Sequence, residues 1–252
     1  MKIGAQLYTV REFTQTAKGF AETIKKVADM GYKYVQVSGI GPIPAQEVAD
    51  ICKSHDISIA ITHTNPTRIK EETDAVIAEH RIMGASYIGI GMMPGDYERN
   101  AAGVRRFITD YAPAAEKIHA NGMTFMYHNH DFEFEKYDGK RMIEYLMEEL
   151  PLAGFTLDTY WVQAGGADSS EWIKKLSGRV DVLHLKDMAW AGGKQLMAEV
   201  MEGNLNWESI YEACHLAGVK YAMVEQDDCY GQDPFTCLEK SLENIRRHTW
   251  FV

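Results

Sequence analysis

The stretch WIKKLSGRVDVLHL, residues 172–185, decides the fold. Trp172, Ile173 and Leu176 recur at helical spacing, Gly178 stops the helix, and residues 180–185 form a short apolar strand. Glycine suits that stop because it enters the left-handed region without a Cβ clash. The same order recurs at 21–37 (Gly31), 75–90 (Gly84), 114–128 (Gly122) and 211–224 (Gly218). The strands are apolar with little alternation, as parallel strands buried on both faces are.

Filling the gaps predicts eight strands, near 2–7, 33–37, 57–63, 86–91, 123–128, 154–158, 180–186 and 220–226. Helices are expected near 18–30, 44–55, 67–83, 99–121, 141–150, 169–176, 207–217 and 235–248. Alternating strands and helices demand a parallel sheet with right-handed crossovers. Eight such pairs match an α/β chain folded as a (β/α)8 TIM barrel, one domain over 1–252. A doubly wound open sheet is the competitor. It wants a glycine-rich turn after its first strand, and QLYTVREFTQ has none.

The composition, 46% hydrophobic and 25% charged, is that of a globular protein. A net charge of -10 without a basic cluster disfavours nucleic acid as partner. No apolar run has the length of a membrane span, and the start MKIGAQLYTV reads as a strand rather than a leader. The four cysteines form no CxxC pair and are expected reduced, in keeping with a cytoplasmic protein.

In a barrel every strand ends at one face, and that face holds the site. The polar strand tips are therefore the candidates. Asp158 ends GFTLD, His184 lies near the end of DVLHLK, and Glu225 near that of YAMVEQD. Such oxygen and nitrogen donors suit Mg2+, Mn2+ or Zn2+. Gln6, His63, His128, His130, Glu133, Lys186 and Asp227 are further polar groups at or beyond strand tips. Each has a plainer reading. Asp158 could cap the next turn, although its place at the end of a wholly apolar run favours a ligand; His184 could be a hydrogen-bonded core residue, and Trp161 packing or the wall of a sugar pocket. Glu225 is the hardest to read as inert, because a carboxylate inside AMVEQ is costly to bury unpaired.

YHNHDFEF (127–134), residues 157–188 and VEQDD (224–228) resemble the sugar phosphate isomerase/epimerase family of the xylose isomerase-like barrel superfamily. Relatives there include inosose dehydratase, ketose 3-epimerases, hydroxypyruvate isomerase and proteins that process 3-keto-glycosides. The resemblance implies a metal set of Glu, Asp, His and Glu from the fifth to eighth strands. Asp158, His184 and Glu225 match it. The first position departs from it: the fifth-strand tip carries His128 and His130, and Glu133 is the nearest acid with a plausible reach, so Glu133 or one of the histidines is the fourth ligand. One divalent ion (Mn2+, Mg2+, Co2+ or Zn2+) is implied, together with proton abstraction beside the carbonyl of a keto sugar, an inosose or a 3-keto-glycoside through an enediolate. Glu225 and Glu133 are then the expected acid/base pair, with His130 as substitute. Gln6, His63, His128, Trp161 and Lys186 are expected to contact substrate. A homo-oligomer fits the class. Two rival readings are a non-catalytic sugar-binding or scaffold barrel without metal, and a repair endonuclease, which the negative charge disfavours.

Overall fold

The computed structural model describes residues 1–248, so the last four residues of the expected domain lie outside it. Eight parallel strands close into a barrel: β1 Lys2–Gln6, β2 Tyr34–Val37, β3 Ser58–His63, β4 Tyr87–Ile90, β5 Thr124–His128, β6 Gly154–Asp158, β7 Val182–Leu185 and β8 Tyr221–Val224. Closure comes from β1 pairing in parallel with β8, with Ile3 beside Ala222 and Ala5 beside Val224. The chain is the (β/α)8 barrel expected of its repeat.

The helices are α1 Ala17–Met30, α2 Ala45–Ser54, α3 Pro66–Glu71, α4 Thr73–Met83, α5 Ala101–Ala120, α6 Met142–Glu149, α7 Thr159–Ala164, α8 Ser169–Lys175, α9 Trp207–Ala217 and α10 Pro234–Arg247. All five repeat glycines adopt positive φ, as the helix stops require. The single helix expected over 67–83 is two, because Glu72 leaves helical geometry at φ -121° and ψ 35°. Two short hairpins were not foreseen, at 136–141 and 187–198. The second turns on Gly192 and Gly193, both at positive φ.

The apolar material divides in two. Most of it packs between the barrel and its helices, where Phe107 and Tyr111 of α5 stack at 4.4 Å. Inside the barrel lies a smaller group: Ala60, Ile61, Tyr87, Met126, Val182 and Met223. Two glycines make room for its methionines. A Cβ on Gly4 would stand 2.6 Å from Met223 Sδ, and one on Gly154 2.5 Å from Met126 Sδ. Above this filled interior, His128, Asp158 and His184 stand at or near the strands' C-terminal ends.

Candidate active site

β5 to β8 deliver four donors to one point. One ligand atom each from His128, Asp158, His184 and Glu225 lies within 4.8 Å of all the others, and all four residues are buried. Strand register sets the meeting: Asp158 pairs with His184, while Met223, two residues before Glu225, pairs with His184 and Thr156, two residues before Asp158, pairs with His128.

Asp158 divides its two oxygens. Oδ1 accepts from Trp161 N–H at 3.0 Å and caps α7, while Oδ2 faces the site. The cap reading and the site reading therefore both hold.

The histidines have fixed tautomers. His128 Nδ1 donates to Gly91 O at 2.7 Å, a bond that requires the hydrogen on Nδ1, so Nε2 carries a lone pair. That Nε2 lies 3.3 Å from Asp158 Oδ2. His184 Nε2 donates to Gln36 Oε1 at 2.8 Å, which leaves a lone pair on Nδ1. His184 Nδ1 stands 2.9 Å from Glu225 Oε2 and 3.5 Å from Asp158 Oδ2 without an aligned hydrogen bond. Lone pairs thus converge on lone pairs in a buried place, an arrangement that calls for a cation. A proton serves alone: burial would lower the His184 pKa, but Glu225 and Asp158 outweigh it and raise it to about 9. A divalent ion would compete for the same lone pair, and this donor set of two imidazoles and two carboxylates fits one of the borderline or hard ions.

Lys186 is the resident counter-charge. Its Nζ lies 2.5 Å from Asp227 Oδ2, 3.2 Å from Glu225 Oε2 and 3.5 Å from Asp158 Oδ2, with the side chain 1% exposed. Burial favours its neutral form, yet the three carboxylates hold it protonated. Lys186 and the histidines likewise overcome burial to keep Asp158 and Glu225 charged. Asp227 differs, since burial and the neighbouring Glu225 push its carboxyl up to about 6.

A cavity of 340 Å³ opens above this floor, lined in part by Tyr8, Arg11, His63, His128, His130, Lys186, Glu225 and Asp227. The structure thus brings His63, His128, His130, Lys186 and Glu225 to the cavity, with Asp158 and His184 beneath. Trp161 stands behind them, its ring 5.0 Å from His130 and 5.3 Å from Lys186 Nζ. Gln6 does not reach the cavity; it is fully buried and its Oε1 accepts from Tyr8 N–H at 3.2 Å.

Glu133, expected as fourth ligand and base, is outside the group of four and does not line the cavity. A 3-10 turn over Phe132–Phe134 folds it under the strand tip. There its carboxylate accepts from Tyr127 O–H and from His130 N–H, both at 2.7 Å. Burial raises its pKa to about 8 against those two hydrogen bonds. Its place in the group is taken by His128. Asp227, one of the polar groups expected beyond a strand tip, lines the cavity, and Gln36 at the tip of β2 holds His184 Nε2 from beneath. Asp227 lies two residues after Glu225 and so on the same side of the chain, a signal that VEQDD does contain.

No curated protein sequence matches the chain. Among solved structures, a sugar phosphate isomerase/epimerase from Parabacteroides distasonis superposes with a TM-score of 0.85 at 23% identity, over 100% of this chain and 99% of that one. A D-allulose 3-epimerase from Methylomonas sp. gives 0.72 at 15% identity, covering 98% and 97%. A probable 3-DHS dehydratase from Bacillus anthracis gives 0.72 at 14%, covering 97% and 99%. At these identities the likeness is one of fold. The family model described as xylose isomerase-like TIM barrel matches residues 24–248, nearly the whole chain. With a closed eight-strand barrel and a buried His–Asp–His–Glu group at its C-terminal mouth, the chain belongs to the xylose isomerase-like TIM barrel family.

Proposed function

We propose that this protein is a divalent-cation-dependent sugar isomerase or epimerase, or a dehydratase or lyase of the same chemistry, acting at the carbon beside a carbonyl. The observation that carries this reading is the pair of tautomer-fixed lone pairs, on His128 Nε2 and His184 Nδ1, facing Asp158 and Glu225 below an open cavity. These four residues would hold one Mn2+, Mg2+, Co2+ or Zn2+ ion. Bound there, the ion supplies Lewis acidity toward neighbouring oxygens of a keto sugar, lowering the cost of charge on the carbonyl oxygen. The names of solved relatives, a ketose epimerase and a dehydratase among them, agree with carbon-acid chemistry.

The protein's own groups move the proton. His130 is a neutral imidazole at the cavity wall, its pKa lowered to about 3 by burial and by His128, which weakens it as a base and suits it to a hydrogen bond with a substrate oxygen. Glu133 fixes the His130 backbone and acts as a positioning residue. Glu225 and Asp227, grouped around the Lys186 ammonium, form one wall of the cavity. Lys186 is a hydrogen-bond donor for a substrate oxygen. Glu225 and Asp227 are the carboxylates on that wall, and the raised pKa of Asp227 suits a group that both gives and takes a proton near neutrality. Where the proton returns decides the outcome. The opposite face of the same carbon gives an epimer, the neighbouring carbon an isomer, and loss of a β-oxygen an elimination.

The test is proton–deuterium exchange, followed by mass spectrometry, over a panel of keto sugars and 3-keto-glycosides with Mn2+ present. Exchange at a carbon beside the carbonyl is expected, with Glu225→Gln losing it while staying folded. Wild-type protein carrying its ion and exchanging no member of the panel would refute the proposal.

A further inference from the structure

A second cavity, of 550 Å³, adjoins the first at the same end of the barrel. It lies between the loop after β2 and the α3–α4 segment that follows β3. Ser38 and His63 line both cavities, and their side chains meet at 3.1 Å. This pair forms the partition, so a molecule seated over the four-residue group would extend past His63 into the second space.

The walls of the second cavity are fixed in advance. Gln15 Nε2 donates to Arg11 O and to Gly39 O, both at 2.7 Å, and Gly41 N–H donates to Thr14 O at 3.0 Å, tying the β2 loop to the β1 loop. Below, His80 bridges Val76 O and Thr62 Oγ1, each at 2.7 Å, and Thr62 meets Thr64 at 2.8 Å. One flank is an ion pair, with Arg68 forked on Glu79 at 3.0 and 2.9 Å and reaching Glu72 at 2.8 Å. Facing groups include Ile40, Pro42, Ile43 and Met83.

That chemistry selects a ligand. Arg68 is already engaged by Glu79 and Glu72, so the lining offers no unpaired guanidinium to draw an anion. The polar flank and the hydroxyls of Ser38 and Thr64 make a purely apolar ligand a poor match. A pyranose ring has hydroxyls that donate and accept around its rim and C–H faces that pack on apolar side chains. We propose that the second cavity is a subsite for an uncharged, hydroxylated ring joined to the reacting sugar, so that the preferred substrate is a keto-glycoside of at least two rings. The proposal rests on the carbon-acid reading above and narrows its substrate class.

The experiment compares a keto monosaccharide with the same keto sugar carrying a second glucose unit, by deuterium exchange with Mn2+ present. Binding of an unreactive disaccharide is measured in parallel by titration calorimetry. Wild type should favour the two-ring substrate in kcat/KM by about tenfold or more, the worth of one or two net hydrogen bonds. Ile40→Trp fills the second cavity from a residue that does not line the first. It should abolish that preference and the calorimetric binding while leaving monosaccharide exchange within about twofold of wild type, well under the tenfold that 1.4 kcal/mol represents. Thr64→Phe enters the same space from the other side and serves should Ile40→Trp fail to fold. Equal handling of both substrates by wild type, or an equal loss on both in the variants, would overturn the subsite. Disaccharide binding that Ile40→Trp abolishes, with no exchange on either sugar, would uphold the subsite and overturn the reaction. No binding and no exchange would overturn both.

Discussion

Replacing Lys186 by methionine keeps the buried stem and deletes the charge that offsets Asp158, Glu225 and Asp227. All three lie within 3.5 Å of its Nζ, and the side chain is 1% exposed, so solvent screens little of the loss. Removing one partner of a buried ion pair costs about 3–5 kcal/mol, because the other is left uncompensated. For a chain of this size each kcal/mol moves Tm by about 2 °C, so the metal-free variant should melt about 6–10 °C below wild type. A divalent cation at the same carboxylates restores the charge. At a free concentration of about one hundred times Kd it adds about 2.7 kcal/mol, or about 5 °C, and the variant should gain more than wild type because no ammonium competes. Calorimetric scans in EDTA and in Mn2+, on both proteins, read this directly. An unchanged Tm in EDTA would refute the electrostatic account of the floor, and an equal gain with Mn2+ in both proteins would refute the shared-site reasoning.

Other expectations concern the residues around that floor. His128→Ala should lower metal content by plasma mass spectrometry well below one ion per chain, whereas Glu133→Gln should leave it unchanged; the reverse pattern would restore Glu133 as the ligand. Glu133 also governs a pH dependence. Its carboxyl moves from an ordinary 4.5 to about 8 on folding, so between those values the native state keeps a proton that the unfolded chain has released. Its contribution is fully favourable below the unfolded value and falls as pH rises toward 8. Urea titrations from pH 5 to 8 should therefore show a flatter profile for Glu133→Gln than for wild type, by a few kcal/mol across the window. Asp187 accepts from Met188, Met201 and Gly203 N–H and from Trp207 Nε1–H at 2.7–3.0 Å. Asp187→Ala should cost about 3 kcal/mol or more by leaving several of these donors unpaired, measured by urea unfolding.

The barrel was legible because its signal is repetitive: a helix, a positive-φ glycine and an apolar strand, five times over. Asp158, His184 and Glu225 stood out for a related reason, since each is a polar group closing a run whose burial is otherwise complete. The fifth strand was harder. YHNHDFEF offers two histidines and an acid, and the choice depends on a 3-10 turn that carries Glu133 beneath the strand tip, where Tyr127 and the His130 N–H hold it. No periodicity announces a three-residue turn. The 187–198 hairpin is a different miss, because its Gly192–Gly193 pair between extended segments is a hairpin signal present in the sequence. Lys186 was expected at or beyond the tip of the seventh strand, but its three carboxylate partners come from the end of β6 and from just beyond β8 and meet only when the sheet closes.

The closing of that sheet also sorts the two cavities along the chain. Every residue of the four-donor group lies between positions 128 and 225, whereas the walls of the outer cavity come from positions 37–83. On the proposed reading, the first stretch would make and break bonds and the second would choose what is attached. The two stretches meet at the tips of β2 and β3, where Gln36 bonds His184 and the His63 ring lies against His128 and His184. That proposal divides the protein, in engineering terms, into a reactive part and a recognition part, with His63 and Ser38 as the seam.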